Sequence, residues 1–191
     1  LTAVVERVVQ KHVSLNITPP QYQIVGECLM EAIGRVLGAA ITPEVAAAWS
    51  AAYWQLANLL IAAEEKEYQR KAALNGGWRG TRRLRVVKRE RESDVITSFW
   101  FAAADQGALM DFTPGQYLGL RIDVNGATVQ RNYSLSDLPN GRTYRISVKR
   151  EPGGLVSNFF HDQVQLGFEV DAFAPAGEFT LADTSKPVVL L

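Results

Sequence analysis

The stretch QRNYSLSD, Gln130 to Asp137, places a permanent cation, an amide, an aromatic ring and a hydroxyl side by side as Arg131, Asn132, Tyr133 and Ser134. On a strand, alternate side chains share a face, so Arg131 and Tyr133 point one way and Asn132 and Ser134 the other. A strand of a small barrel normally gives one face to apolar residues. This one has almost none, and a ligand both anionic and aromatic would answer its chemistry. The segment REPGGLVSNFF, Arg150 to Phe160, reads as a Gly-Gly turn running into a short helix, with Ser157 in its first turns. Gly154, Leu155, Val156 and Ser157 would there offer free backbone N–H groups and the positive end of a helix dipole, a combination that binds phosphate. In FTPGQYLGL, Pro114-Gly115 makes a turn and Tyr117 opens a strand. A dinucleotide with a pyrophosphate and a flat ring would use all three segments. Each has a plainer reading. Arg131 could form a surface ion pair worth little, PGG could be a turn and PGQY a hairpin end. Their order and spacing on one barrel favour the ligand.

The first half of the chain offers His12, Tyr22 and Glu64. Taken singly, His12 is a helix-end histidine closing an apolar stripe, Tyr22 a first-turn core aromatic and Glu64 a solvated carboxylate. The elements that carry them are helical up to about Leu74. Val4, Val8 and His12 recur every four residues, flanked by Val5 and Val9. Thr18 is placed to N-cap a second helix, with Pro19 at its first position and Gln21 at capping-box spacing. Tyr22, Val25, Leu29, Ile33 and Val36 give that helix its buried side, and it fades at LGAA. Thr42-Pro43 starts a third helix with the stripe Val45, Trp49, Tyr53, Leu56 and Leu60, reaching Glu64. Three helices with this little else look like the second half of a larger α-domain.

LNGGW, Leu74 to Trp78, supplies a helix C-cap and a joint. Beyond it the period changes to two. RRLRVVKRE, VITSFWF, QYLGLRIDV, RTYRISVKR and FEVDAF are short strands separated by turn signals such as VNGA and LPNG, as in a small antiparallel Greek-key barrel. The expected division is therefore 1–74 and 75–191.

Of 191 residues, 20 are Lys or Arg and 20 are Asp or Glu, so no net field favours nucleic acid or an acidic membrane surface. With 47% hydrophobic and 21% charged residues, the composition is that of a globular protein. A single cysteine, Cys28, excludes an internal disulfide and fits a reducing compartment. No unbroken apolar run approaches the ~18 residues of a spanning helix. The start has no secretion signal, and the expected location is cytoplasmic. The sequence begins without methionine inside a helical pattern and stops at KPVVLL, a buried-strand pattern, which reads as a piece of something longer.

PGQYLGL, RNYSLS, VKREPGGLVSNFF and PAGEF stand in the order seen in the flavin domain of the ferredoxin-reductase family, and the likeness covers nearly all of Trp78 to Leu191. It implies that Arg131 neutralises the FAD pyrophosphate and that Tyr133 lies against the isoalloxazine and ribityl part. Ser134 would hydrogen-bond the N5 edge, with Asn132 between them, and Gly154 to Ser157 would cradle the pyrophosphate. Tyr117 resembles a further FAD contact. QKHVSLNITPPQYQIVGECLMEAI, AAWSAAYWQLANLLIAAEEKEY and the GGW junction resemble the last three helices of a bacterial flavohaemoglobin, in which a globin is fused to such a reductase. The resemblance then extends over the whole chain. It implies an α+β multidomain fold, the C-terminal part of an all-α globin followed by a flavin barrel. His12 would be the proximal ligand of haem b, with Tyr22 and Glu64 as its catalytic partners and Lys11 near the haem and flavin sides. The implied activity is that of an NAD(P)H-dependent nitric oxide dioxygenase acting on O2 and NO, with no nucleic acid and no specific protein partner. The distal haem residues and the NAD(P)-binding domain of that family have no counterpart in this sequence. The alternatives are an FAD-dependent electron-transfer reductase with an unrelated helical attachment, and a non-catalytic binding barrel.

Overall fold

The computed structural model describes residues 2–181, so KPVVLL lies outside the described residues. The chain forms two compact units, Leu1–Tyr68 and Gln69–Leu191.

The first unit contains α1 (Ala3–Ser14), α2 (Pro19–Leu37), a 3-10 turn over Gly38–Ala40 and most of α3 (Pro43–Ala72). α2 begins as its residues dictate. Pro19 sits at the helix start, where its missing N–H costs nothing, and Gln21 Oε1 accepts from the Thr18 N–H at 2.8 Å. α3 starts with the Val45 N–H donating to Thr42 Oγ1 at 3.4 Å. The core comprises Val9, Val13, Tyr22, Ala57, Leu60 and Tyr68, each large apolar member contributing about 1.5–3 kcal/mol when buried.

The buried faces are narrower than the expected stripes. Tyr22 is buried, but Val25, Leu29 and Val36 are 56%, 40% and 82% exposed. On α3, Val45, Trp49 and Leu56 are exposed, while Ala57 and Leu60 turn inward. In α1 the buried apolar positions are Val9 and Val13, and Val4 is 72% exposed. Periodicity marks which face is apolar; coverage depends on what packs against it. α3 is also the one described helix long and apolar enough by composition to cross a membrane, with mean hydropathy 1.2. The expectation from unbroken apolar runs did not register it. Its inner face carries a buried carboxylate and a tyrosine held by hydrogen bonds, the pattern of a domain helix.

Among its described residues, the second unit forms a six-stranded antiparallel sheet of β1 (Thr81–Arg91), β2 (Ile96–Ala103), β3 (Tyr117–Val124), β4 (Ala127–Ser134), β5 (Tyr144–Lys149) and β6 (Glu169–Phe173). The strand order is β4-β3-β6-β1-β2-β5. The sheet curls until the ends of β4 and β5 meet at a Leu135–Ile146 bridge, reinforced by Ser136 N–H donating to Arg145 O at 2.9 Å. This is the expected barrel, closed along that seam by a single bridge. Leu84, Phe99, Phe101, Leu118, Leu120 and Ile146 are wholly buried inside it, in the period-two pattern of β3 and β5. One helix, α4 (Leu155–Gln163), packs on it through Val156, Phe159 and Phe160.

Candidate functional sites

Within the first unit, three residues far apart in sequence converge. His12 Nδ1 lies 2.7 Å from Glu64 Oε1 and 2.9 Å from the Tyr22 hydroxyl, and that hydroxyl donates to the same Glu64 oxygen at 2.5 Å. α1 supplies the histidine from its last turn, α2 the tyrosine from its first and α3 the carboxylate from its buried face. Glu64 is 2% exposed, so both donors replace the water it has lost. Burial, then the carboxylate beside it, push the Tyr22 hydroxyl far above the ordinary tyrosine range, which keeps it a neutral donor. With Glu64 ionised, Nδ1 must carry the imidazole proton, and the lone pair of neutral His12 is left on Nε2. The His12 side chain is 30% exposed, open enough for Nε2 to reach a metal. An imidazole braced in this way through its other nitrogen is the donor a haem iron needs, so the residues fit that group.

A second layer holds this trio; periodicity placed Tyr53 on the stripe of α3 and passed over Tyr68 and Gly26. Tyr53 donates to the backbone carbonyl of Tyr22, and Tyr68 donates to Ile17 O at 2.8 Å. Gly26 makes room for Tyr53, since a Cβ there would meet the ring at 2.6 Å. Lys11, next to His12, is exposed.

Within the second unit, the strand and the helix of the expected flavin site are joined by aromatic packing. Tyr133 makes an edge contact with Phe160 of α4 at 5.4 Å. Tyr133 pairs with Leu118 of β3 and Arg131 with Leu120, so both lie on the face of the sheet that bears those buried leucines. Arg131 is exposed, its Nη1 donating to Gln130 O at 2.8 Å. Asn132 and Ser134 are exposed on the opposite face, beside Gly119 and Tyr117. Burial pushes the half-buried Tyr133 hydroxyl up to about 12, with Arg131 pulling the other way.

The glycine turn is braced internally. Gly153 has φ +70°, a left-handed conformation that favours glycine. Gly154 is the N-cap of α4, and its carbonyl accepts the first helical N–H, from Asn158, at 3.1 Å. The N–H groups of Leu155, Val156 and Ser157 precede that bond and are the open donors of a helix start. The Ser157 hydroxyl faces back into the turn, accepting from the Glu151 N–H at 3.1 Å. The expected cradle therefore rests on backbone N–H groups more than on this side chain. Sequence reasoning passed over Asn158, whose Nδ2 donates to Gly154 O at 2.7 Å and to Glu151 O at 3.0 Å. Its signal was an amide side chain four residues after the capping glycine, placed to bond back to the turn. A cleft of about 260 Å³ opens beside this turn, bordered by Gly153, Gly154, Leu155 and the β3–β4 turn residue Asn125. Tyr117 opens β3 as expected and bridges Ala176. Gly115 at φ +100° lies so close to the Phe179 carbonyl that any side chain would collide with it. A cation, an aromatic ring and open helix-start donors on one barrel fit FAD.

The model of the oxidoreductase FAD-binding domain matches residues 83–181, and the globin model matches residues 1–60. The flavohemoprotein of Pseudomonas aeruginosa is 56% identical over 192 residues, an alignment covering 100% of this chain and 49% of that protein. The chain thus spans about half the length of such relatives. Among solved structures, a flavohemoglobin from Malassezia yamatoensis with bound FAD and heme is 30% identical, with a TM-score of 0.79 over 93% of this chain and 45% of that one. The flavohem-like FAD/NAD-binding domain of a nitric oxide dioxygenase from Vibrio cholerae is 42% identical, with a TM-score of 0.54 over 57% of this chain and 49% of that one.

Proposed function

The chain belongs to the oxidoreductase FAD-binding domain family and is flavohaemoglobin-like along its length, and from that premise we propose that it carries the haem-ligand and flavin sites of a nitric oxide dioxygenase. Residues 1–74 are the closing helices of the globin and 75–191 the flavin barrel. The apolar side chains that α2 and α3 expose, among them Val36 at 82% and Trp49 at 49%, support this, because a self-sufficient helical unit rarely leaves so much apolar surface uncovered.

Bound FAD and haem b supply hydride acceptance from NAD(P)H, electron transfer and the O2 chemistry that turns NO into nitrate in the full-length protein. His12 would hold the iron through Nε2. Glu64 takes the Nδ1 proton in a hydrogen bond, fixing the tautomer and making the ring a stronger donor. Tyr22 neutralises part of the charge on Glu64 by donating to the same oxygen. A haem held by so strong a donor would favour O–O chemistry over storage. In the barrel, Arg131 offsets the pyrophosphate charge together with the N–H groups of Leu155, Val156 and Ser157. Tyr133, with Asn132 and Tyr117 nearby in the β3–β4 pair, flanks the ring system, and Ser134 offers a hydroxyl to its edge. O2, NO and NAD(P)H are the small-molecule partners. A cytoplasmic location fits a chain whose single cysteine, Cys28, is an exposed thiol.

The observation that carries this reading is the His12–Glu64–Tyr22 cluster, which a structural helix-end histidine would not need. The test is NO consumption by the purified full-length protein with NAD(P)H and O2. Nitrate should form, and His12→Ala should abolish NO loss while NAD(P)H still bleaches the flavin. NO consumption at the parent rate in His12→Ala would defeat the assignment.

A further inference from the structure

Where the end of β1, the start of β2 and the last turns of α4 meet, an open cleft of about 360 Å³ is lined by Arg89, Arg91, Asp94, Thr97, Arg150 and His161. None of the residues assigned to the flavin lines it. Two of its three guanidinium groups have carboxylate partners. Arg91 pairs with Asp94 at 2.6 Å, and Arg150 pairs with Asp162. Those carboxylates are 97% and 55% exposed, so the pairs are weak and easily exchanged for a better anion.

Arg89 differs. Among the described residues its hydrogen-bond partners are neutral, His161 O at 2.8 Å and Gln165 Oε1 at 3.4 Å, and its guanidinium lies 5.8 Å from the centre of the buried Phe99 ring. These contacts hold the group in place without an ion pair, and the Asp162 carboxylate that Arg150 engages is a negative charge that acts on it. His161 is fixed as well. Its Nε2 lies 2.9 Å from Val148 O and so carries a proton, which turns Nδ1 toward Thr97 Oγ1 at 3.4 Å. The C-terminal end of α4 opposes an anion with roughly half an elementary charge, and Asp94 and Asp162 offset part of the three guanidinium charges, so an anion binds by displacing those exposed carboxylates from Arg91 and Arg150.

We propose that this cleft binds a small phosphate anion carrying more than one negative charge. Guanidinium forks match phosphate oxygens in pairs, and several around one opening favour a multiply charged ligand over chloride.

The test is calorimetric titration of the full-length protein, in excess FAD and at low ionic strength, with inorganic pyrophosphate. The expected result is a saturable component that weakens as sodium chloride is added. Arg89→Gln and Arg91→Gln should each reduce its affinity tenfold or more while flavin content stays at the parent level. Absence of a saturable component in the parent overturns the proposal. So does equal affinity in the variants, which would leave Arg89 as a cap on the His161 carbonyl of α4. If Arg89→Gln does not fold, Arg91→Gln decides alone, since its side chain is 69% exposed and outside the core.

Discussion

Tyr22→Phe removes one hydroxyl from the best-buried polar cluster of the helical unit and little else. Tyr22 is 7% exposed and Glu64 2%, so water cannot take over the donor that Glu64 Oε1 loses. What remains to that oxygen is His12 Nδ1 at 2.7 Å. A hydrogen bond to a charged group contributes about 1.5–3 kcal/mol, and a buried acceptor left short costs a similar amount. The phenyl ring keeps its apolar burial and its edge contact with His12 at 5.8 Å, so about 2 kcal/mol is the whole expected loss. With a urea dependence of about 2 kcal/mol/M, the midpoint of the helical transition should fall by roughly 1 M. The assay is urea unfolding of the full-length protein followed by far-ultraviolet circular dichroism, with Glu64→Gln and the double variant alongside. The two single changes touch one hydrogen bond, so they should couple by about 1 kcal/mol or more. A midpoint shift below about 0.3 M, or strict additivity, would refute the reasoning.

Gly26→Ala should lower thermal stability even though alanine favours a helix by about 1 kcal/mol. The new methyl meets the Tyr53 ring at 2.6 Å, and overpacking of that kind costs about 1–3 kcal/mol; a melting temperature equal to or above the parent's would count against the α2–α3 packing described. Asn158→Ala frees two carbonyls of the glycine turn and should raise the FAD dissociation constant about tenfold, as one or two neutral hydrogen bonds would; an unchanged value in a flavin fluorescence titration would remove Asn158 from the account. Tyr133 should ionise late. Its folded pKa, about 12, is above the ordinary value near 10, so the stability it contributes is fully present below pH about 10 and lost as pH rises toward 12. Arg131→Ala should shift tyrosinate absorbance to still higher pH, and a shift downward would contradict the pairing of these two residues.

Much of the barrel was legible because period-two alternation and turn chemistry are local. β3 begins at Tyr117 after the Pro114-Gly115 turn, and α4 follows the Gly-Gly pair, where φ +70° at Gly153 shows why glycine stands there. The internal bracing was not legible. That the Ser157 hydroxyl turns inward, and that Asn158 ties the turn together, depends on rotamers. The apolar stripes of α2 and α3 were real as patterns, but Val25, Leu29, Trp49 and Leu56 are exposed, since a pattern does not say which part of a stripe is covered. Least legible was the His12–Tyr22–Glu64 cluster. Its members sit on three helices with no local signature, and only the flavohaemoglobin resemblance joined them in advance. Tertiary packing, through Tyr53 over Gly26 and Tyr68 onto Ile17 O, brings them together.

The most direct test of the two-site account is the visible absorption spectrum of the full-length protein beside its His12→Ala and Arg131→Ala forms. His12→Ala should lose the five-coordinate ferrous haem spectrum and keep its flavin band. Arg131→Ala should keep the haem spectrum and bind FAD about tenfold or more weakly, as loss of a charge-assisted contact implies. Haem spectra that survive His12→Ala and respond instead to His161→Ala, or FAD affinity untouched by Arg131→Ala, would contradict it.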